Sequence, residues 1–476
     1  MAILERWFGL RAAQTSVRQE AIGGLTTFVT MAYIVVVNPA ILAAAGIPVG
    51  PSTTATILVA GLGTILMGLV ANRPIGVAPY MGENAFIAFG MTALGIGWPL
   101  RLGAVFVSGV AFLAITLLGV RGWLANSISP SLKRSFAVGI GLFLAFIGLN
   151  ETGLVSSYAI GKPPAAFFPP GTPCDCGTPV PAAGIPVPVE IGALTRGPVL
   201  LAIAGVLLIA ILMARRVRGA ILLGIALTAA AGMLLGYAHA PAGVVAWPRF
   251  TGPEGLAAIA GQLRFSETLP DGRTVSLFSP ALLPVLLTLF LMDFLDTVGT
   301  LVGVGAAGGM LDEHGNFPQI ERPMTVDALA CTGSALLGTS TSGAYIESAT
   351  GIRDGARTGL AAVVTGALFL ACLFFVPLAT ALSSLTFAYG PALVVVGILM
   401  VQSAREIAFD DLTELVPAML TILMMVFTYN IANGLTAGLA VYPLIKVAAG
   451  RWRDVNAGMW VLAAACLLYF AFGIVH

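Results

Sequence analysis

Apolar residues fill this chain in long runs, and polar residues gather at the breaks between them. Runs suited to membrane-spanning helices lie at roughly 21–46, 51–71, 101–120, 134–151, 198–214, 219–237, 279–304, 325–339, 359–381, 390–404, 413–430, 433–449 and 456–474. A helix needs about 20 apolar residues to cross the hydrocarbon of a bilayer, so the runs predict an all-α polytopic membrane protein. Two further stretches, 86–94 and 346–352, are too short and too glycine-rich to cross alone. The first follows Pro79-Tyr-Met-Gly-Glu-Asn84 and the second follows Gly338-Thr-Ser-Thr-Ser-Gly343.

The two short stretches hold matching places. Each is the third apolar element of its half, counted from Glu20 and from Ser279, and each starts at an acid, Glu83 or Glu347. Arg218-Gly-Ala-Ile-Leu-Leu-Gly-Ile also echoes Asn433-Gly-Leu-Thr-Ala-Gly-Leu-Ala. Short, interrupted segments at corresponding positions predict a transporter site near the bilayer midplane. Seven elements per half is an odd number, so the halves insert in opposite orientations and 456–474 falls outside the repeat. That last segment is read as an extra span or an interfacial helix. Non-helical backbone at 74–84 and 338–346 implies a polar cavity, because lipid cannot satisfy its N–H and C=O groups. The half-helices that follow would turn their N-terminal N–H groups toward it.

Composition agrees with the pattern. Of 476 residues 58% are hydrophobic and only 9% are charged, with a mean hydropathy of +0.96. A soluble chain would carry about 25% charged residues. The net charge of +1 gives no case for a nucleic-acid partner. His239, His314 and His476 are scattered, and the cysteines lack metal-ligand spacing, so neither a metal nor another cofactor is expected. No nucleophile–histidine arrangement or cofactor motif argues for an enzyme. Cys331, Cys372 and Cys466 read as packing residues, whereas Cys174 and Cys176 are either free or joined in a strained disulfide. The polar segment 1–20 runs straight into a long span and lacks the features of a cleavable signal. If spans alternate, Arg73, Arg121, Lys133, Arg134, Arg215, Arg216, Arg218, Arg353, Arg357, Arg405, Lys446, Arg451 and Arg453 share one side, with Arg101 the exception. By the positive-inside rule this predicts a cytoplasmic N-terminus in a cytoplasmic (inner) membrane and places loops 152–197 and 238–278 outside.

In such a chain, buried acids carry the functional signal. Glu83, Asp293, Asp296 and Glu347 lie in or beside apolar runs. An acid at the bilayer centre costs at least ~2.5 kcal/mol on insertion scales and usually marks a transport path or proton relay. Asp293 and Asp296 lie one helical turn apart and share a face with Thr297 and Thr300 nearby. Carboxylates that accept N–H groups, the amide of Asn84, and the rings of Phe86, Phe89 or Tyr345 would suit a neutral, planar, hydrogen-bond-rich solute. The same carboxylates are suited to carrying a coupling proton. Glu20 is read as interfacial and Asp327, near the start of its run, as a helix cap. Arg353, Asp354 and Arg357 are read as the cytoplasmic end of the short helix, and 311–323 as a solvated linker.

Four segments together resemble a known family. They are Phe28-Val-Thr-Met-Ala-Tyr-Ile-Val-Val-Val-Asn-Pro-Ala-Ile-Leu42, Asn72-Arg-Pro-Ile-Gly-Val-Ala-Pro-Tyr-Met-Gly-Glu-Asn-Ala-Phe86, Asp293-Phe-Leu-Asp-Thr-Val-Gly-Thr300 and Gly338-Thr-Ser-Thr-Ser-Gly-Ala-Tyr-Ile-Glu-Ser-Ala-Thr-Gly351. They are similar to the nucleobase–cation symporter family of the nucleobase–ascorbate type, in the azaguanine, adenine, guanine and hypoxanthine permease branch. The resemblance implies 14 transmembrane segments in a 7+7 inverted repeat, with short antiparallel strands before the two half-helices. Core segments would occupy 21–120 and 279–381, and gate segments 134–237 and 390–449, with 1–20 and 456–474 outside both. It implies proton-coupled purine uptake, a homodimer formed through the gate, and base binding by Asp296 and Glu347, with Asp293 close by and Asn84 as a polar contact. Phe86, Thr297 and Tyr345 complete the candidate binding set, and Asp293, Asp296, Glu347 and Glu83 the proton-coupling set. Uracil or xanthine symport remains the alternative within the family, and anion transport by the related sulfate-transporter fold the alternative outside it. Glu83 departs from the family pattern, which has an apolar residue before the asparagine; Tyr80 stands where glycine is common.

Overall fold

The computed structural model describes the chain except for residue 1 and residues 120–126, 157–188, 242, 270–271, 280–281, 311–316, 318 and 469–476. Cys174 and Cys176, and most of the 311–323 linker, lie outside the described residues. Among the described residues, nine helical stretches are long and apolar enough to cross a membrane, and three shorter apolar helices accompany them.

The first span breaks. Helices α2 (Val17–Met31) and α3 (Ile34–Ala43) follow the short α1 (Ala2–Phe8), and a turn at Ala32 and Tyr33 separates them. Helix α4 (Val49–Leu66) ends in a widened turn at Met67–Ala71. Strand β1 (Val77–Pro79) then leads into α5 (Met81–Ala85), which continues as a second widened turn over Phe86–Gly90. Helices α6 (Trp98–Leu117), α7 (Pro130–Glu151), α8 (Gly197–Ala214) and α9 (Ala220–Leu234) complete the first half.

The second half opens with α10 (Leu283–Ala307) and α11 (Glu321–Leu337). Strand β2 (Ser342–Ala344) and the short α12 (Ser348–Arg353) follow, then α13 (Gly359–Ala371) and α14 (Val376–Ser383). Helices α15 (Thr386–Met400), α16 (Leu412–Phe427), α17 (Ile431–Ala448) and α18 (Ala457–Leu468) end the described chain.

The strands form one antiparallel pair, with Val77 opposite Ala344, Ala78 opposite Gly343 and Pro79 opposite Ser342. Among the described residues, this is the one place where distant parts of the chain share a backbone ladder in the interior. Around it, α6 packs on α10 and α11, α4 on α13, and α2 on α12 and α13. Helix α7 packs on α15 and α16, α8 on α9 and α15, and α16 on α17. Without a hydrophobic drive between helices in lipid, small residues let backbones approach. Gly141 on α7 faces the carbonyl of Gly397 on α15 in this way, and Gly61 on α4 faces Gly366 on α13.

Three polar residues differ from expectation. Glu20 is fully buried within the protein, and its carboxylate accepts the N–H groups of Arg357 at 2.9 Å, Thr358 at 3.1 Å and Ala361 at 3.3 Å. These are orphan donors at the start of α13, so Glu20 caps a helix more than 300 residues away in sequence. Arg101, the exception to the charge rule, is also buried. It donates to the carbonyls of Ile96 at 3.0 Å and Ile87 at 2.7 Å, which fixes the end of the α5 segment. Lys446 is buried as well and pairs with Glu414 at 2.8 Å. Asp354 behaves as its position suggested: it closes α12, accepts from Thr26 at 2.7 Å and pairs with Arg218 at 2.9 Å.

Glu20→Ala removes a buried acceptor shared by three N–H groups at the start of α13, of which the Ala361 N–H keeps the Thr358 carbonyl as a second partner. The variant is expected to lose about 1–3 kcal/mol of stability, read as a lower Tm in detergent, with Glu20→Gln in between. An unchanged Tm for Glu20→Ala would show that the cap contributes nothing.

Candidate functional site

The site forms where β1 and β2 end and α5 and α12 begin. The ladder continues past the strands: Tyr80 donates its N–H to the Thr341 carbonyl at 2.9 Å, and Tyr345 donates to the Gly76 carbonyl at 2.9 Å. The N–H of Gly76 goes to Ser348 Oγ at 2.9 Å. Thr64 on α4 both accepts from the Val77 N–H at 2.8 Å and donates to its carbonyl at 3.0 Å. The outer groups of these strands are therefore met by side chains of neighbouring helices, as a strand pair inside a bilayer requires.

Asp327 supplies the most important of these partners. It lies within the second turn of α11, not at its cap, and is buried. One carboxylate oxygen accepts the Ala344 N–H at 2.6 Å. The other accepts the hydroxyl of Thr297 on α10 and lies 3.5 Å from the Tyr80 hydroxyl. One side chain thus ties β2, α10 and the start of α5 together. Gly343 is needed at this crossing, because a Cβ there would strike the Tyr80 hydroxyl and the Asp327 carboxylate. Tyr80 bonds Thr297 Oγ1 at 3.1 Å, and its ring lies parallel to that of Tyr345, with centroids 6.3 Å apart. Tyr345 anchors its own hydroxyl on the Pro79 carbonyl at 2.5 Å.

A second network holds the other end of the strands. The amide of Asn84 donates to Asn38 Oδ1 and accepts from the Ser340 hydroxyl. Asn38 in turn donates to Thr56 Oγ1 at 2.6 Å and Thr339 Oγ1 at 2.9 Å. All five side chains except Thr339 and Ser340 come from the first half of the chain, so the network also stitches the halves together.

The carboxylates gather around this frame. Asp296 is partly exposed toward the interior and accepts no hydrogen bond from a described residue. Glu347 is partly exposed too, and the hydroxyl of Tyr33, at the break between α2 and α3, donates to it at 2.8 Å. Asp296 and Glu347 lie within electrostatic reach of each other, and Tyr345 is within reach of both. Asp293 is buried, with one oxygen accepting from Ser108 at 3.3 Å and from the Cys331 thiol at 3.2 Å. Its other oxygen is unpartnered. Glu83 is buried with both oxygens unpartnered. Phe86 is buried in the widened turn after α5, and Phe89 lines a cavity of about 250 Å³ with Ala40, Ile147, Glu151, Tyr389 and Leu393. Tyr389 donates to Glu151 there at 3.1 Å.

The structure therefore brings Glu83, Asp293, Asp296, Thr297, Tyr345 and Glu347 to one locus. Thr297 and Asn84 spend their hydrogen bonds on the frame, whereas Asp296 and Glu347 are partly exposed and Glu347 is met by Tyr33 alone among the described side chains. Sequence reading missed Tyr33, Tyr80, Asn38 and the tethering role of Asp327. Asp327 carried the same signal as Asp293, an acid in an apolar run, but its place near the start of the run suggested a cap.

Apolar spans around a buried strand pair, with acids at two broken helices, are the architecture of a multi-pass membrane permease. Residues 18–437 match the sequence profile described as Permease family. The chain is 39% identical to a putative permease of Methanocaldococcus jannaschii, over 99% of both chains. It is 40% identical to the guanine/hypoxanthine permease PbuG of Bacillus subtilis, over 98% of this chain and 100% of that one. It is 37% identical to the adenine permease AdeQ of Escherichia coli, over 97% of this chain and 94% of that one. Among solved structures, the transmembrane domain of the cyanobacterial bicarbonate transporter BicA has the same fold, with a TM-score of 0.58 at 15% identity over 88% of this chain and 97% of that one. The chain belongs to the permease family of nucleobase–ascorbate transporters.

Removing the Asp327 carboxylate should loosen the ladder. In Asp327→Ala, hydrogen-exchange protection of the Ala344 amide is expected to fall by about tenfold or more, the equivalent of one lost buried hydrogen bond. Asp327→Asn keeps one acceptor oxygen and should fall less. Equal protection in all three proteins would remove Asp327 from the frame.

Proposed function

We propose that the chain is a proton-coupled symporter that imports purine nucleobases (adenine, guanine or hypoxanthine) across the cytoplasmic membrane. The observation that supports this reading is the pair of partly exposed carboxylates, Asp296 and Glu347, beside the strand junction. A purine presents several N–H groups along one edge, and two acceptors on opposite walls can hold that edge. The names of the full-length relatives, adenine and guanine/hypoxanthine permeases, support the same substrate class.

The acids also suit a coupling proton. Glu83, Asp293, Asp296 and Glu347 share a low-dielectric locus, which suits a group that holds one proton among them. In this reading a base binds from outside to a group that carries one proton. Base and proton then leave together on the inner side. Tyr345 and Phe86 flank the base, and Asn84 holds its frame.

The proposed architecture has fourteen segments in two inverted repeats, with 21–120 and 279–381 as a core and 134–237 and 390–449 as a gate. The core moves against the gate to alternate access. The cavity beside Phe89 lies between α3 on the core side and α7 and α15 on the gate side, and forms part of the access path. The gate is also the proposed surface for a homodimer, with the N-terminus in the cytoplasm.

Reconstituted protein is expected to accumulate purine in response to an imposed proton gradient, and a protonophore should abolish it. Asp296→Asn and Glu347→Gln should each weaken purine affinity by about tenfold to a hundredfold, the value of a hydrogen bond to a charged group. Unchanged affinity in both variants, with protonophore-insensitive uptake, would overturn the reading.

A further inference from the structure

Among the described residues, Glu83 is the one fully buried acid at this locus with no partner on either oxygen. Its surroundings offer no counter-charge among the described residues. Helix α10 presents Asp293 and Asp296 to it, α11 presents Asp327, and Tyr80 and Tyr345 supply the neighbouring phenols. Helix α3, packed on α5, carries no ionisable side chain. Helix α7 meets α5 through Ile140. The buried Arg101 is committed to backbone carbonyls beyond the end of α5. Ionised, Glu83 would be an unpaired anion beside three other acids, an arrangement that burial makes costly.

The position of Glu83 adds a second observation. Gly82, its neighbour, lies so close to α7 that a Cβ would come within 2.6 Å of Ile140 Cγ2. Helix α5 therefore packs tightly at Gly82 against a helix of the proposed gate. Glu83 is the next residue along α5 and lies within electrostatic reach of Asp293 and Asp296.

The geometry points to Glu83 as the residue whose protonation licenses movement of α5 past α7, and thus as the site of the coupled proton. This inference rests on the proton-symport reading above and assigns its proton to one residue. The step balances simply: a proton from the outer aqueous side forms an O–H bond on the Glu83 carboxylate, and that bond breaks when the proton is given to inner water. Substrate recognition stays with Asp296 and Glu347. The sliding contact then passes a neutral side chain in the loaded carrier and resists a charged one.

The test compares wild type with Glu83→Gln, which copies the shape of the neutral acid but cannot release a proton. Both are reconstituted in proteoliposomes and given adenine or hypoxanthine. Two readouts are taken: accumulation driven by an imposed proton gradient, and counterflow exchange with no gradient. Glu83→Gln is expected to lose accumulation, while counterflow persists within about threefold of wild type and no longer varies with pH. Retained, protonophore-sensitive accumulation in Glu83→Gln would overturn the inference. So would loss of counterflow along with accumulation in a protein that elutes as wild type does, since Glu83 would then be a structural or substrate-holding residue. Wild-type accumulation that ignores the protonophore would defeat the symport reading itself and this inference with it. Wild-type sensitivity with a sensitive variant defeats the inference alone.

Discussion

The structure depends on two short strands holding a ladder in the membrane interior. Strands β1 and β2 contribute only Val77–Pro79 and Ser342–Ala344, yet they join segments more than 260 residues apart. Every backbone group there must find a partner inside the protein, because lipid offers none. Thr64, Ser348 and Asp327 provide those partners from three helices. Helices α5 and α12 start from the ladder, so the ladder sets where their first turns and their acids lie.

That constraint explains the mixture of satisfied and unsatisfied groups nearby. Asp327, Asn84, Asn38 and Thr297 are locked by hydrogen bonds and serve as frame. Asp296 and Glu347 keep free acceptor capacity, and Glu83 and Asp293 keep unpartnered oxygens. A protein that needed only a fold would have little use for acids left open at this cost. Fold likeness alone would not separate a nucleobase carrier from an anion carrier, since BicA shares the architecture at 15% identity. Among the described residues the locus is rich in acids, and none of its hydrogen bonds comes from a basic side chain.

The sequence disclosed what the bilayer imposes and concealed what only tertiary contact decides. Span length and apolarity are set by membrane thickness, so α4, α6, α7, α10 and α17 were legible as runs. The paired interruptions at Glu83 and Glu347 were legible because glycine- and serine-rich backbone is costly in lipid. Glu20 was not, because the N–H groups it caps belong to residues 337–341 positions away. Arg101 contradicted the charge rule because it binds helix-end carbonyls instead of facing water. The break at Tyr33 carried no glycine or proline signal of its own, and its purpose appears only through the hydroxyl on Glu347.

The central claim is that a purine binds at the mouth of the β1–β2 junction. A structure determined with adenine, guanine or hypoxanthine present tests it most directly. The account predicts planar density within hydrogen-bonding distance of both Asp296 and Glu347, beside Tyr345. Density confined to the cavity beside Phe89, Glu151 and Tyr389, with the Asp296–Glu347 locus empty, would contradict it.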